Sequence, residues 1–173
     1  MGQHCQNIAN ACKISRGYAE RLLAGIPANQ FARKAVVNGK TIDANHPAWV
    51  FGHLATYPAK AATMLGLDAT KFAAPANFEQ LFKDGQPCQD DTSGTIYPSM
   101  ETITTAFFRT HDALIEALGS VDDSKLIQPT PDEKARERFP MLGARVLFMC
   151  NNHMMMHAGQ VSTWRRCMGL PAA

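Results

Sequence analysis

The sequence predicts an all-α protein, a four-helix bundle. Four stretches of about 20 to 30 residues carry apolar side chains every three to four positions. Glycine or proline closes or opens each of them. No run alternates apolar and polar residues over the length a sheet would need. The chain has 173 residues, 46% of them hydrophobic and 18% charged, enough to bury the core of one domain spanning 1–173.

Residues 4–25 read as the first helix, with Ile8, Ala11 or Cys12, Ser15, Tyr18, Leu22 and Leu23 on one stripe and Gly25 and Pro27 closing it. Residues 27–44 form a connector with a turn signal at Asn38-Gly39 and room for one helical turn. The second helix covers 45–65. Asn45 or His46 caps it, and Pro47 suits its first turn, where a missing N–H costs nothing. Trp49, Val50, His53, Leu54, Tyr57, Ala61, Met64 and Leu65 follow helical spacing up to Gly66. Pro58 removes the hydrogen bond to the Leu54 carbonyl and crowds it, so a kink is expected just past His53.

Residues 66–97 make a long connection with a short apolar piece at Phe78, Leu81 and Phe82. Antiparallel neighbours need only a few linking residues, whereas parallel neighbours need a crossover along the bundle. Helices two and three are therefore expected to run in the same direction. The third helix covers 98–119, opened by Pro98 and Ser99 and closed by Gly119, with Met100, Ile103, Phe107, Leu114 and Leu118 buried. A short capped helix is expected at Thr130-Pro131-Asp132-Glu133. The last helix, 140–169, is the longest, roughly 45 Å at 1.5 Å per residue. Its stripe reads Val146, Met149, His153, Met156, His157, Gln160 and Trp164.

The totals exclude several classes. A formal net charge of +2, with basic residues scattered apart from Arg165-Arg166, argues against a nucleic-acid partner. No apolar run reaches the length of a membrane span. The first residues lack the basic-then-apolar pattern of a secretory signal. Five scattered cysteines fit a reducing, cytoplasmic setting better than a disulfide framework.

His153 and His157 lie one turn apart on the last helix, a usable metal pair. The glutamate of H-E-x-x-H is absent, which argues against a zincin-type protease. A catalytic metal site typically has three protein ligands, and the third has three candidates: His53 on helix two, His111 on helix three and Cys150 three residues before His153. His4 and His46 read as solvated or capping. Met154, Met155 and Met156 raise a copper reading, but three consecutive residues point to three sides of a helix, so core packing is favoured.

The segment His46-Pro47-Ala48-Trp49-Val50-Phe51-Gly52-His53-Leu54, then His153-x-x-x-His157-Ala158-Gly159-Gln160, then Arg165-Arg166-x-x-Gly169-Leu170-Pro171, resembles the DinB/YfiT-like superfamily of metal-dependent enzymes. The resemblance covers most of the chain, including Phe78 to Gly85 and the Tyr97-Pro98-Ser99 start of helix three. It implies a four-helix bundle in up-down-down-up order and a metal site of His53, His153 and His157. It further implies a divalent metal, usually zinc or nickel, and a homodimer. Some relatives transfer low-molecular-weight thiols such as bacillithiol or mycothiol to electrophiles, and others isomerise maleylpyruvate with a thiol cofactor.

Three neutral imidazoles would leave a divalent ion its full charge and an open position, suited to stabilising a thiolate. The leading expectation is a metal-dependent enzyme that activates a small thiol for S-transfer to an electrophile. The alternatives are a hydrolase using a metal-activated water and a non-enzymatic dimeric metal-binding stress protein. Gln160 is expected to support a ligand or line the pocket, with a helix-surface amide as the plain alternative. Trp49 would wall the pocket, although packing in the core explains it better. Arg165 and Arg166 suit the negative end of the helix dipole better than they suit a substrate carboxylate.

Overall fold

The computed structural model describes residues 2–173. Its principal helices are α1 (Gln3–Leu23), α2 (Pro47–Ala55), α3 (Tyr57–Leu65), α4 (Ala76–Phe82) and α5 (Met100–Leu118). The short helices α6 (Asp123–Leu126), α7 (Glu133–Arg136) and α8 (Leu142–Leu147) follow, and α9 (His153–Cys167) completes the chain. A π-helical segment, Phe148–Asn152, joins α8 to α9 without a break. The molecule is a helical bundle in which α2 packs on α5, α4 and α9, and α1 packs on α5 and α9.

All nine residues of α2 are buried, which fits a segment that is apolar on every side. His46 caps this helix. Its Nδ1 accepts from the Trp49 N–H at 3.2 Å, and its Nε2–H donates to the Gln89 carbonyl at 2.8 Å. Both ring nitrogens are thus used in the neutral form, as the capping reading expects. The break expected at Pro58 falls at Thr56. The His53 carbonyl accepts from the Thr56 N–H at 3.1 Å and from its hydroxyl at 2.8 Å. Pro58 then sits in the first turn of α3, where its lost donor is harmless.

One connector carries more structure than expected, and the short capped helix expected near 130 is present. Residues 27–44 hold a 3-10 turn at Ala28–Gln30 and also a two-residue hairpin, Val36–Val37 paired with Lys40–Thr41. Asn38 and Gly39 both take positive φ, 51° and 75°, as a two-residue hairpin turn of this hand requires. The Asn-Gly signal marked that hairpin. The short helix near 130 is α7, capped by the Asp132 carboxylate accepting from the Lys134 N–H.

The stripe of the last helix is also revised. Met156 is 61% exposed, Gln160 is exposed, and the buried line after the π segment runs Met154, Ala158, Val161 and Trp164. Val146, Met149, His153, His157 and Trp164 of the expected stripe are buried on both sides of the π turn, and only Met156 and Gln160 depart from it. Met154 enters the core while Met155 and Met156 face outward, the three-sided arrangement that disfavours copper.

Arg165 has a role that its place in the last turn did not suggest. It is almost fully buried. Its Nη1 donates to the Leu22 and Ala24 carbonyls at 2.7 Å, and its Nε and Nη2 donate to the Pro171 carbonyl. It satisfies carbonyls left open at the C-terminus of α1 and pins the chain end to them.

Two apolar clusters fill the bundle. One contains Trp49, Phe51, Phe82, Phe107, Met154 and Trp164, the other Leu65, Leu114, Leu118, Leu142 and Val146. Trp49 of the first and Tyr57 of the second flank His53 from either side.

Candidate metal centre

His53 from α2 and the pair His153 and His157 from α9 bring one nitrogen each within 4.8 Å of one another, and all three residues are largely buried. Among the described residues this is the group able to hold a metal ion. The spacing of four on α9 stacks His153 and His157 one turn apart, and the contact of α2 with α9 adds His53.

The other two candidates for the third position lie elsewhere. His111 is buried against Phe107, with its Nδ1–H donating to the Phe107 carbonyl at 2.9 Å. Cys150 falls in the π segment beside Cys12, whose hydrogen bond, together with burial, pushes its thiol well above the usual range. Cys150 belongs to the apolar cluster of Cys12, Leu114 and Val146 and not to the histidine group.

The outer nitrogens fix how the rings point. His53 Nδ1–H donates to the Phe82 carbonyl at 2.7 Å, and His157 Nδ1–H donates to Gln160 Oε1 at 2.8 Å. Gln160 Oε1 also accepts from the Asn45 amide at 3.2 Å. Gln160 is therefore exposed and still tied to a site histidine. These bonds leave the Nε2 lone pairs of His53 and His157 pointing inward. His153 Nε2 lies 3.4 Å from His53 Nε2 and 3.0 Å from His157 Nε2, while its own Nδ1 is buried without a partner.

One proton on His153 Nε2 cannot satisfy two inward lone pairs and leaves its Nδ1 an orphan acceptor. A cation among the three Nε2 atoms would take all three lone pairs at once, with the His153 proton moved to Nδ1. Metal–nitrogen bonds of about 2.0–2.1 Å in a tetrahedral arrangement separate the ligating atoms by about 3.3 Å, close to the 3.4 and 3.0 Å that part His153 Nε2 from its two neighbours.

Electrostatics agree with a ligand role. Burial lowers the pKa of His53 and His157, and it takes His153 down to about 4 with added repulsion from His157 and His53. The imidazoles are thus neutral near pH 7, as metal binding requires. Trp49 stacks on His53 with ring centroids 4.7 Å apart, Tyr57 lies 4.4 Å from the His153 ring, and Phe148 stacks on His153 at 5.9 Å. Trp49 thus both belongs to the core and walls the site, and its Nε1 has no partner.

Two contributors escaped the sequence reading. Gly52 has no room for a side chain, because a Cβ there would lie 2.5 Å from the Phe82 ring. That close approach sets the Phe82 carbonyl against His53 Nδ1. Asp84, two residues on, places Oδ1 3.8 Å from His53 Nε2. Spacing within one helix cannot reveal either residue, since both act across the connection after α3.

A helical bundle with three converging buried imidazoles is consistent with a metal-binding helical protein. The family model of the DinB superfamily matches residues 12–161, and the chain belongs to that superfamily. No curated protein matches it in sequence. Among the described residues, no helix is long and apolar enough to cross a membrane.

Proposed function

We propose that this protein is a metal-dependent enzyme whose His53, His153 and His157 hold a divalent ion, zinc or nickel, and which activates a small thiol for transfer to an electrophile. The observation that carries the reading is the convergence of three neutral Nε2 atoms whose opposite nitrogens are, in two cases, already committed. Such an ion would supply Lewis-acid stabilisation of a thiolate in its open position. The chain does the rest. The Phe82 carbonyl and Gln160 Oε1 hold two rings in the ligating tautomer, while Trp49, Tyr57 and Phe148 wall the centre with apolar surface that limits water. A homodimer belongs to the same reading, and exposed Met155, Met156 and Ile42 offer apolar surface for it.

The test is metal content of protein purified without a metal-affinity tag, for wild type and for His53→Ala, His153→Ala, His157→Ala and Cys150→Ala. About one metal per chain, lost in the histidine variants and kept in the cysteine variant, is expected. Electrophile turnover should then require added thiol. No metal in the wild type, even after adding zinc or nickel, refutes the reading. Turnover without thiol would replace S-transfer by hydrolysis.

A further inference from the structure

The turn after α4 approaches His53 from both of its nitrogens. Phe82 presents its carbonyl to Nδ1, and two residues later Asp84 presents a carboxylate oxygen to Nε2 at 3.8 Å. Gly85, with φ of 84°, lets the chain turn away immediately afterwards. Asp84 is 73% exposed, yet it is not free to swing. The Tyr57 hydroxyl donates to its Oδ1 at 3.0 Å and its Oδ2 at 3.2 Å. The Tyr57 ring is itself held between the His53 and His153 rings, 5.0 and 4.4 Å away.

With Nδ1–H of His53 committed to Phe82, its Nε2 carries a lone pair, and so does the carboxylate oxygen facing it. Two acceptors do not hold each other at that range. Something bearing positive charge or a proton belongs between them. Asp84 does not lie within 4.8 Å of all three histidine nitrogens, so it stands beside the ligand set rather than within it. Lys60 and Glu79 also flank this mouth. Lys60 Nζ lies 4.9 Å from the Tyr57 ring centroid and 3.4 Å from the Glu79 carboxylate, which leaves Asp84 as the carboxylate facing the site.

We propose that Asp84, clamped by the Tyr57 hydroxyl, is the hydrogen-bond acceptor for the molecule that enters the open side of the three-histidine centre. It favours ligands that arrive with a proton on the atom entering the site, such as a thiol, amine or hydroxyl group, over ligands that arrive as anions; a thiol can pass that proton toward Asp84 as the ion takes up the thiolate. The inference rests on the metal reading above and deepens it. It names a positioning and selectivity residue contributed by the connection after α3.

The test uses protein loaded with cobalt(II), whose visible spectrum reports the ligand environment. Ammonia at pH 9 serves as the proton-bearing probe and azide as the anion, each titrated into wild type, Asp84→Asn, Asp84→Ala and Tyr57→Phe. Removing the carboxylate should strengthen azide binding and weaken ammonia binding, each by about threefold or more, with Tyr57→Phe moving both in the same sense but less. Opposite movement of the two probes is a signature that general loosening cannot produce. Affinities that change by less than about 1.5-fold, or that move together, overturn the role of Asp84 and leave the metal centre standing. A wild type that takes up neither cobalt nor zinc overturns the metal reading and this inference with it.

Discussion

Gly52→Ala adds one methyl group at the place where the structure is least able to accept it. The new Cβ would stand 2.5 Å from the nearest atoms of the Phe82 ring, where carbon atoms normally keep about 3.5–4.0 Å. The ring cannot yield locally, because Phe82 is fully buried, stacked on Tyr97 at 5.6 Å and packed edge-on against Phe78 at 5.0 Å. Phe82 must therefore back away from α2 by about 1 Å, and its carbonyl goes with it. Overpacking of this kind costs roughly 1–3 kcal/mol, or a fall in Tm of roughly 3–10 °C for a chain of this size. The carbonyl now 2.7 Å from His53 Nδ1 no longer fixes that ring, and zinc affinity should drop roughly 10- to 100-fold. Gly159→Ala is the matched control. Gly159 lies on α9 two residues from His157, and a methyl group added there would meet nothing within 4 Å, so the variant should gain about 0.5–1 kcal/mol from helix propensity and keep its zinc affinity. Thermal unfolding of the metal-free proteins and zinc competition against a chromophoric chelator read both effects. A Gly52→Ala protein as stable as wild type, with unchanged zinc affinity, would refute the link from Gly52 through Phe82 to His53.

Two further outcomes are expected. Gln160→Ala removes the acceptor of His157 Nδ1–H and should weaken zinc about tenfold in the same competition assay, with Tm nearly unchanged because the side chain is exposed. His111 gives a pH signature separate from the metal centre. Burial takes it from 6.5 down to about 4. Between those values the unfolded chain binds a proton there and the folded chain does not, so its contribution is complete above pH 6.5 and is lost as pH falls toward 4. Urea unfolding of metal-free His111→Leu should therefore lose about 2 kcal/mol less than wild type between pH 7 and pH 5. Equal losses in the two proteins would refute this assignment.

Much of the bundle was legible because its signals are local. Pro47 and His46 start α2, Ser99 caps α5 by accepting from the Thr102 N–H, and Gly66 closes α3 in the left-handed conformation. Pro58 marked the break that falls at Thr56, since a missing N–H acts within one turn. His153 and His157 were legible as a pair for the same reason, because a spacing of four places two side chains on one face wherever the helix goes. The family motif then settled on His53, which the helical pattern alone had already placed ahead of His111 and Cys150 without excluding them.

Tertiary structure decided what lies between elements. Helical periodicity assumes constant pitch, so it could not register the π turn at Phe148–Asn152, nor that Met154, Ala158 and Val161 are buried beside the histidines while Met156 and Gln160 are exposed. Arg165 looked like a dipole partner of its own helix, and only packing brought the Leu22 and Ala24 carbonyls within its reach. The connection after α3 gave no sign that its Phe82 carbonyl and Asp84 carboxylate close on His53. A carbonyl carries no side-chain code, and a lone aspartate in a turn reads as solvated. The sequence by itself determined which residues could ligate. Which nitrogens face inward, and what faces them, depended on contacts between residues 29 to 100 positions apart.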